Sequence, residues 1–228
     1  MQKISAVTHT PIRADGIEAR QRLISAGLEL FARQGFQKTS VREVARAAQV
    51  NLASISYYFG DKAGLYRAVF TESLSSPHSL EPRFNETGLS LADRLRLFYE
   101  DFLEPLKRGE DTRRVIKLHY REMIEPTGVW QETIDNEIRP SHELMLRLLV
   151  DELGIRRIDI DVQRLAFGIV GMAVHFFVCQ SVVDTIAPQV ISTNKAIDTL
   201  AVRLAMYAEA MIDAEKSRRA HLQESERA

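Results

Sequence analysis

The chain has 228 residues, 45% of them apolar and 27% charged, with a formal net charge of −1. A chain of this length removes roughly 70% of its unfolded surface from water on folding, so it needs neither a metal nor a disulfide to hold a core. Its single cysteine, Cys179, excludes an internal disulfide, and no Cys-x-x-Cys or Cys/His zinc frame is present. The composition therefore fits a reducing, cytoplasmic setting.

Near-neutrality hides an uneven distribution. A cut at Ser76, ahead of the proline-bearing residues 75–82, leaves ten Lys and Arg against six Asp and Glu in the first segment, and 20 against 25 in the second. A basic segment joined to an acidic one suits an anion-binding module attached to something else. The first residues carry Lys3 and Arg13 but no apolar stretch of signal-peptide type, and residues 1–16 read as a flexible arm.

The apolar residues recur at helical spacing throughout, which makes the expected fold all-α. Residues 17–34 place Ile24, Leu28 and Phe31 on one stripe and stop at Gly35. Ser40 and Glu43 have capping-box spacing at the start of a short helix that carries Val41, Val44, Ala45 and Ala48 on one face. Asn51 is a good N-cap for a second short helix, Gly60 a terminator, and Asp61 a cap for a helix beginning at Lys62. Two short helices about three residues apart, after a longer helix that can pack across both, have helix-turn-helix spacing.

Beyond Ser76 the pattern predicts helices over residues 89–108, 111–124, 130–153, 159–183 and 194–217, with kinks or early stops at Pro105 and Pro140 and a frayed tail at 218–228. The expected division is a helix-turn-helix domain over 17–76 and a larger helical domain over 77–217. Residues 165–183 carry no formal charge and reach the length of a membrane span. His175, Gln180, Ser181 and two glycines inside the stretch, with Arg164 and Asp184 at its ends, favour instead a helix buried on all sides, within the protein or between two copies.

In a helix-turn-helix the second short helix enters the major groove. Val50, Ile55 and Phe59 form its inward stripe, leaving Leu52, Ala53, Ser54, Ser56, Tyr57 and Tyr58 outward. Small and hydroxyl side chains allow close approach to base edges and phosphates, Leu52 and Ala53 suit a thymine methyl, and the two tyrosines can donate to phosphate oxygens. Lys62 in the first turn of a helix is unfavourably placed unless an outside anion is supplied. Thr39, Ser40 and Arg42 offer the same chemistry at the start of the other short helix.

The run from Arg20 to Phe70 resembles the DNA-binding domain of the tetracycline-repressor (TetR) family. The likeness is carried by Ala26-Gly27-Leu28-Glu29-Leu30-Phe31, Gly35-Phe36, Thr39 to Ala45, Tyr57-Tyr58-Phe59 and Lys62-Ala63-Gly64-Leu65. It implies a homodimer that binds double-stranded DNA at a palindromic operator, with a larger C-terminal domain for dimerisation and for a small-molecule effector. The groove-reading helix then falls on residues 52–58, the phosphate contacts on Thr39 or Ser40, Tyr57 and Lys62, and a base or phosphate contact on Arg42. Two positions depart from the family pattern: Gln49 stands where the turn usually has Gly, and Ser56 where a tyrosine is common. The stretch Leu118 to Thr127 resembles the effector domain of the cephalosporin/chloramphenicol-sensitivity regulators within that family.

Phe98, Phe102, His119, Met123, Trp130 and Met145 are candidates to line an effector pocket between helices; each taken singly is better accounted for as plain core, the default place of aromatics and Met at helical spacing. Enzyme signatures are missing. The chain has no Glu-x-x-His pair, no His-Glu-x-x-His, no Gly-rich phosphate loop and no Gly-x-Ser-x-Gly. His119, His142 and His175 fall on separate helices, and Cys179 sits in an apolar helix where a thiol is inert, so no metal or cofactor is expected. The expectation is a cytoplasmic, ligand-released repressor, dimeric through residues 165–183 and 194–207 and not membrane-bound. The alternative is a helical small-molecule binder or enzyme whose N-terminal corner is only structural.

Overall fold

A computed structural model describes residues 12–73 and 88–227, and among them every regular element is helical. The first helix, α1 (Ile12–Lys38), starts a turn earlier than its apolar stripe and kinks at Gly35, where φ is 82° and ψ is 170°. Residues 12–16, expected in a flexible arm, are thus helical, while the rest of that arm and the expected linker at 75–82 lie outside the described residues. Three shorter helices follow: α2 (Val41–Ala47), α3 (Ala53–Phe59) and α4 (Lys62–Ser73).

The next helix, α5 (Leu91–Leu103), passes at Pro105 into a 3-10 turn, Glu104–Lys107, and α6 (Glu110–Ile124) follows. Proline lacks the amide hydrogen an α-helix needs, which explains the tightened turn. The expected helix 130–153 is α7 (Trp130–Thr133) and α8 (Arg139–Leu153) joined by a π-turn, Ile134–Ile138, that delivers Pro140 to the start of α8. The expected helix 159–183 is α9 (Ile160–Val178) and α10 (Gln180–Ile186), broken at Cys179, where φ is −101° and ψ is 24°. The last helix, α11 (Asn194–Arg227), runs through the tail expected to fray. Arg218 and Arg219 hold it by pairing with Asp161 and Asp159, partners some sixty residues back that helical periodicity does not reveal.

The chain forms two units, a head made of residues up to Ser75 together with Lys117–Val129, and a body made of Ser76–Ile116 and Trp130–Ala228. The expected single cut at Ser76 therefore misses that the second half of α6 belongs with the head. In the head, α1 packs across α2, α3 and α4 over a core that includes Leu23, Phe31, Val44, Ile55, Leu65 and Phe70. Phe31 and Phe36 both meet the Tyr66 ring edge-on, at 4.9 and 5.0 Å between centroids, a favoured aromatic geometry. In the body, α11 packs against α5, α8 and α9 around Tyr99, Leu103, Leu149, Ile169, Leu204 and Ile212.

Helix α9 is long and apolar enough to cross a membrane, with mean hydropathy 1.3 over its most apolar window, yet only 28% of that window is buried. Within one chain it is covered along one face, that of Val162, Ala166, Ile169 and Ala173, and not on all sides; Phe167, Gly171, His175 and Val178 stand exposed.

Candidate nucleic-acid interface

The head carries a concave surface where the starts of α2, α3 and α4 converge, lined among others by Lys38, Ser40, Leu52, Ser56, Asp61 and Lys62. Helix starts carry partial positive charge and free amides, so three of them around one concavity favour anions there.

Each start is shaped by its own cap. Ser40 accepts from the Glu43 amide at 3.2 Å while the Glu43 carboxylate accepts from the Ser40 amide at 2.9 Å, a complete capping box. The Ser40 amide, and then the Ser40 hydroxyl donating at 2.8 Å, hold the Glu43 carboxyl below its ordinary range. Asn51 Oδ1 accepts from the Ala53 amide at 2.9 Å, and Asp61 Oδ1 from the Gly64 amide at 2.8 Å. Gly60 closes α3 with φ 79°. Gly64 is required by space, because a Cβ there would lie 1.9 Å from the carbonyl oxygen of Phe59. Each cap contributes about 1 kcal/mol, and together they fix the direction in which α3 projects.

On α3, Ile55 faces inward and is buried, whereas Tyr57 is 82% exposed and Leu52 41% exposed. Ala53 and Ser56 are exposed beside them, with Ser54 and Tyr58 half-buried. Val50 and Phe59, expected inward with Ile55, are half-buried, and Arg20 lies 5.3 Å from the Phe59 ring centre. The Lys62 ammonium sits 4.4 Å from the centre of the Phe36 ring and donates to the Gln37 carbonyl at 3.3 Å. It is held by a π-face and a carbonyl, neither of which neutralises its charge. Arg42 is exposed on α2.

The arrangement is matched by known proteins. Residues 23–69 fit the family model of bacterial regulatory proteins of the tetR family, and residues 91–214 fit the C-terminal domain of the HTH-type transcriptional dual regulator CecR. The second match alone covers more than half of the chain. The chain belongs to the TetR family. Among its relatives, the probable HTH-type transcriptional regulator YttP of Bacillus subtilis is 43% identical over 136 residues, covering 60% of this chain and 65% of its own. The HTH-type transcriptional dual regulator CecR of Shigella flexneri is 30% identical over 149 residues, covering 61% and 66%. The chain thus matches just under two thirds of the length of each. In fold it is similar to native NalD, the secondary repressor of the MexAB-OprM multidrug efflux pump in Pseudomonas aeruginosa, with a TM-score of 0.64 at 22% identity over 86% of this chain and 98% of that one.

The turn between α2 and α3 carries Gln49. Gln49 adopts φ 56°, the left-handed conformation that glycine takes without strain. The Gln49 amide donates to the Arg46 carbonyl at 3.2 Å and the Val50 amide to the Ala45 carbonyl at 3.0 Å, the paired bonds of a Schellman helix end. The glutamine therefore keeps the glycine conformation at a cost of about 1–2 kcal/mol.

Thr39 differs from the other candidates. It is 1% exposed, and its hydroxyl donates to the Gly35 carbonyl at 2.7 Å, so this side chain braces the turn ahead of Ser40. Lys38 and Gln37, which helix-turn-helix spacing did not single out, line the concavity; a basic residue just before an N-cap was the available signal.

The six pocket candidates are divided between the units. Phe98, Phe102, Trp130 and Met145 belong to the body, where Phe102 stacks on Phe98 at 5.6 Å and meets Phe177 at 5.7 Å. Met145 is core. His119 and Met123 belong to the head, the His119 ring tilted 35° against Phe70 at 4.1 Å between centres and Met123 half exposed. Among the described residues no group of His, Cys, Asp and Glu could hold a metal ion.

Proposed function

We propose that this TetR-family chain is a transcriptional regulator, acting as a repressor that binds a palindromic operator as a homodimer and is released by a small-molecule effector. The observation that carries the reading is the concave basic face of the head, together with the 82% exposed side chain of Tyr57, next in sequence to the lining residue Ser56. A phenol that exposed has no role in a core, and with the cations Arg42 and Lys62 of the same head it suits phosphate oxygens. Leu52, Ala53, Ser54 and Ser56 meet base edges, Tyr58 and Ser40 approach the backbone, and Thr39 acts through the turn it braces. The relatives named above are transcriptional regulators, which supports the same reading and a cytoplasmic location.

The homodimer is supported by an uncovered apolar stripe on the body. Phe167, Val178, Val182 and Ile186 along α9 and α10, and Val202, Met206 and Tyr207 on α11, are each between 46% and 77% exposed. Large apolar side chains left to water in this number suit a partner surface, and pairing them about a two-fold axis sets two heads on half-sites about one helical turn or more apart. The effector is received by the body, around Phe98, Phe102, Trp130 and Met145. It lowers operator affinity by as much as it prefers the dimer with the wrong head spacing, and no more.

Selection of duplexes from a random pool by the full chain tests this reading. The expected result is enrichment of two-fold-symmetric sites with a fixed half-site spacing. No enrichment overturns DNA recognition, and enrichment of single half-sites overturns the dimer.

A further inference from the structure

We propose that Arg121 and Glu122, near the end of α6, are positioning residues for DNA recognition, bracing from within the head the helix starts that face the nucleic acid. This rests on the DNA-binding reading above.

Glu122 is completely buried. Its carboxylate accepts from the Tyr66 hydroxyl at 2.7 Å, from the Thr127 amide at 2.6 Å and from the Thr127 hydroxyl at 3.0 Å. Burial, and then this bond, push the Tyr66 phenol far above its usual range, so it stays a donor. A well-packed apolar side chain would stabilise such a site as well or better; what the carboxylate adds is direction. Tyr66 lies one turn beyond Lys62 on α4 and is 2% exposed. Its ring meets Phe36 edge-on, and Phe36 is the ring under the Lys62 ammonium. Thr127, beyond the end of α6, closes the loop onto Glu122 and keeps the carboxylate from swinging away.

Arg121 reaches the other helix start. Its Nη1 donates to the Arg33 carbonyl at 3.4 Å, and its guanidinium lies so close to Gly35 that a Cβ there would come within 2.5 Å of Nε. The carbonyl of Gly35 receives the Thr39 hydroxyl, and Thr39 precedes Ser40, the cap of α2. Two adjacent residues thus run by short, packed chains to Lys62 on one side and to the turn carrying Ser40 and Arg42 on the other. Neither chain passes through a residue assigned to base reading.

The test is titration of a duplex selected by the unmodified chain with Tyr66→Phe, Glu122→Leu and Glu122→Gln, alongside thermal melts, at a temperature where every variant is folded. Glutamine can accept both Thr127 donors on its carbonyl and donate to the Tyr66 oxygen through its amide. Tyr66→Phe and Glu122→Leu are expected to weaken binding roughly three- to tenfold, with Glu122→Gln within about twofold of the unmodified chain. The dependence on salt stays unchanged, because no phosphate contact is removed. If Glu122→Leu does not fold, Tyr66→Phe carries the test. Unmodified affinity in the first two variants, with only their melting midpoints lowered, overturns the proposal. Lys62→Ala in the same assay separates the two readings, since its loss of affinity and salt slope tests DNA contact itself.

Discussion

The concave face of the head and the last helix of the body use the same charged side chains in different ways. In the body, cations along the last helix and the 3-10 turn are tied to carboxylates: Lys107 to Glu104 and Asp198 at 2.9 and 2.7 Å, Lys216 to Glu152 at 3.3 Å, Arg218 to Asp161 at 2.9 Å and Arg219 to Asp159 at 2.8 Å. In the head, pairs such as Arg20 with Glu72 and Arg22 with Glu18 leave out the interface, and among the described residues Lys38, Arg42, Arg46 and Lys62 have no carboxylate within 4.0 Å. The difference teaches that net charge by segment is a coarse guide. What marks the head is that two such side chains, Lys38 and Lys62, line a concavity where helix starts converge.

The sharpest way to break that comparison is to disorder the helix start that carries Lys62. Gly64→Ala forces a methyl group against the Phe59 carbonyl oxygen, a backbone atom that cannot swing aside. The expected loss is about 3 kcal/mol of head stability, with duplex binding abolished before the body melts. Trp130, the only tryptophan, stands in the body, so its fluorescence follows the body separately. A variant that binds duplex normally at the original melting midpoint would contradict the geometry of that start.

A smaller effect is expected from the cations themselves. Arg42→Ala and Lys62→Ala should each weaken duplex binding on the order of tenfold at physiological salt and lower the logarithmic salt slope by about one unit. Arg218→Ala in the body should change neither. Equal effects from head and body arginines in the same salt titration would dissolve the distinction between them.

What was legible in the sequence follows the same division. The boundaries of α2, α3 and α4 are set by residues acting within two or three positions, Ser40 on Glu43, Asn51 on Ala53 and Asp61 on Gly64, so spacing alone located them. The body's boundaries depend on partners far along the chain. The unbroken apolar run through Cys179 offers no break signal, and α11 continues past Ser217 because Arg218 and Arg219 find carboxylates 57 and 60 residues away. The assignment of 117–129 to the head was equally hidden. It rests on Glu122 meeting Tyr66 and Arg121 meeting Arg33, contacts 56 and 88 residues apart. On α3 the inward place of Ile55 and the outward places of Leu52 and Tyr57 were legible, while Val50, Ser54, Tyr58 and Phe59 are half-buried; Thr39 is buried because its hydroxyl turns back onto the Gly35 carbonyl at the kink.

The turn between α2 and α3 offers a change in the stabilising direction. Gln49 holds φ 56°, a strain of about 1–2 kcal/mol for a residue with a Cβ. Glycine removes that strain but adds freedom to the unfolded chain worth about 0.4–1 kcal/mol. Gln49→Gly should therefore stabilise the head by about 0.5–1 kcal/mol, read as a raised melting midpoint with unchanged m-value in denaturant. A destabilised head would mean that the Gln49 side chain makes up for its backbone in some other way.

Acid provides the finest distinction between the two regions. Asp159 caps α9 by accepting from the Asp161 and Val162 amides at 3.0 Å each, and Arg219 grips its carboxylate with both guanidinium nitrogens at 2.8 and 2.9 Å. The Arg219 bond first, and then the backbone amides, hold this carboxyl well below its usual value of 3.8. A depressed folded-state pKa contributes stability that is present above the unfolded value and lost as the pH falls, here from about pH 4 downward. The Asp159 side chain is 47% exposed, so solvent limits the effect to a few tenths of a kcal/mol. Glu43 in the head is also lowered, chiefly by the Ser40 amide and hydroxyl, bonds that salt screens little. Melting midpoints between pH 2 and 7 should therefore show a shallow acid limb for the body that Asp159→Asn flattens and added salt weakens. The head's acid limb should respond to Glu43→Gln but hardly to salt. Matching salt responses in the two limbs would mean that arginine pairing and helix capping contribute to the two regions alike.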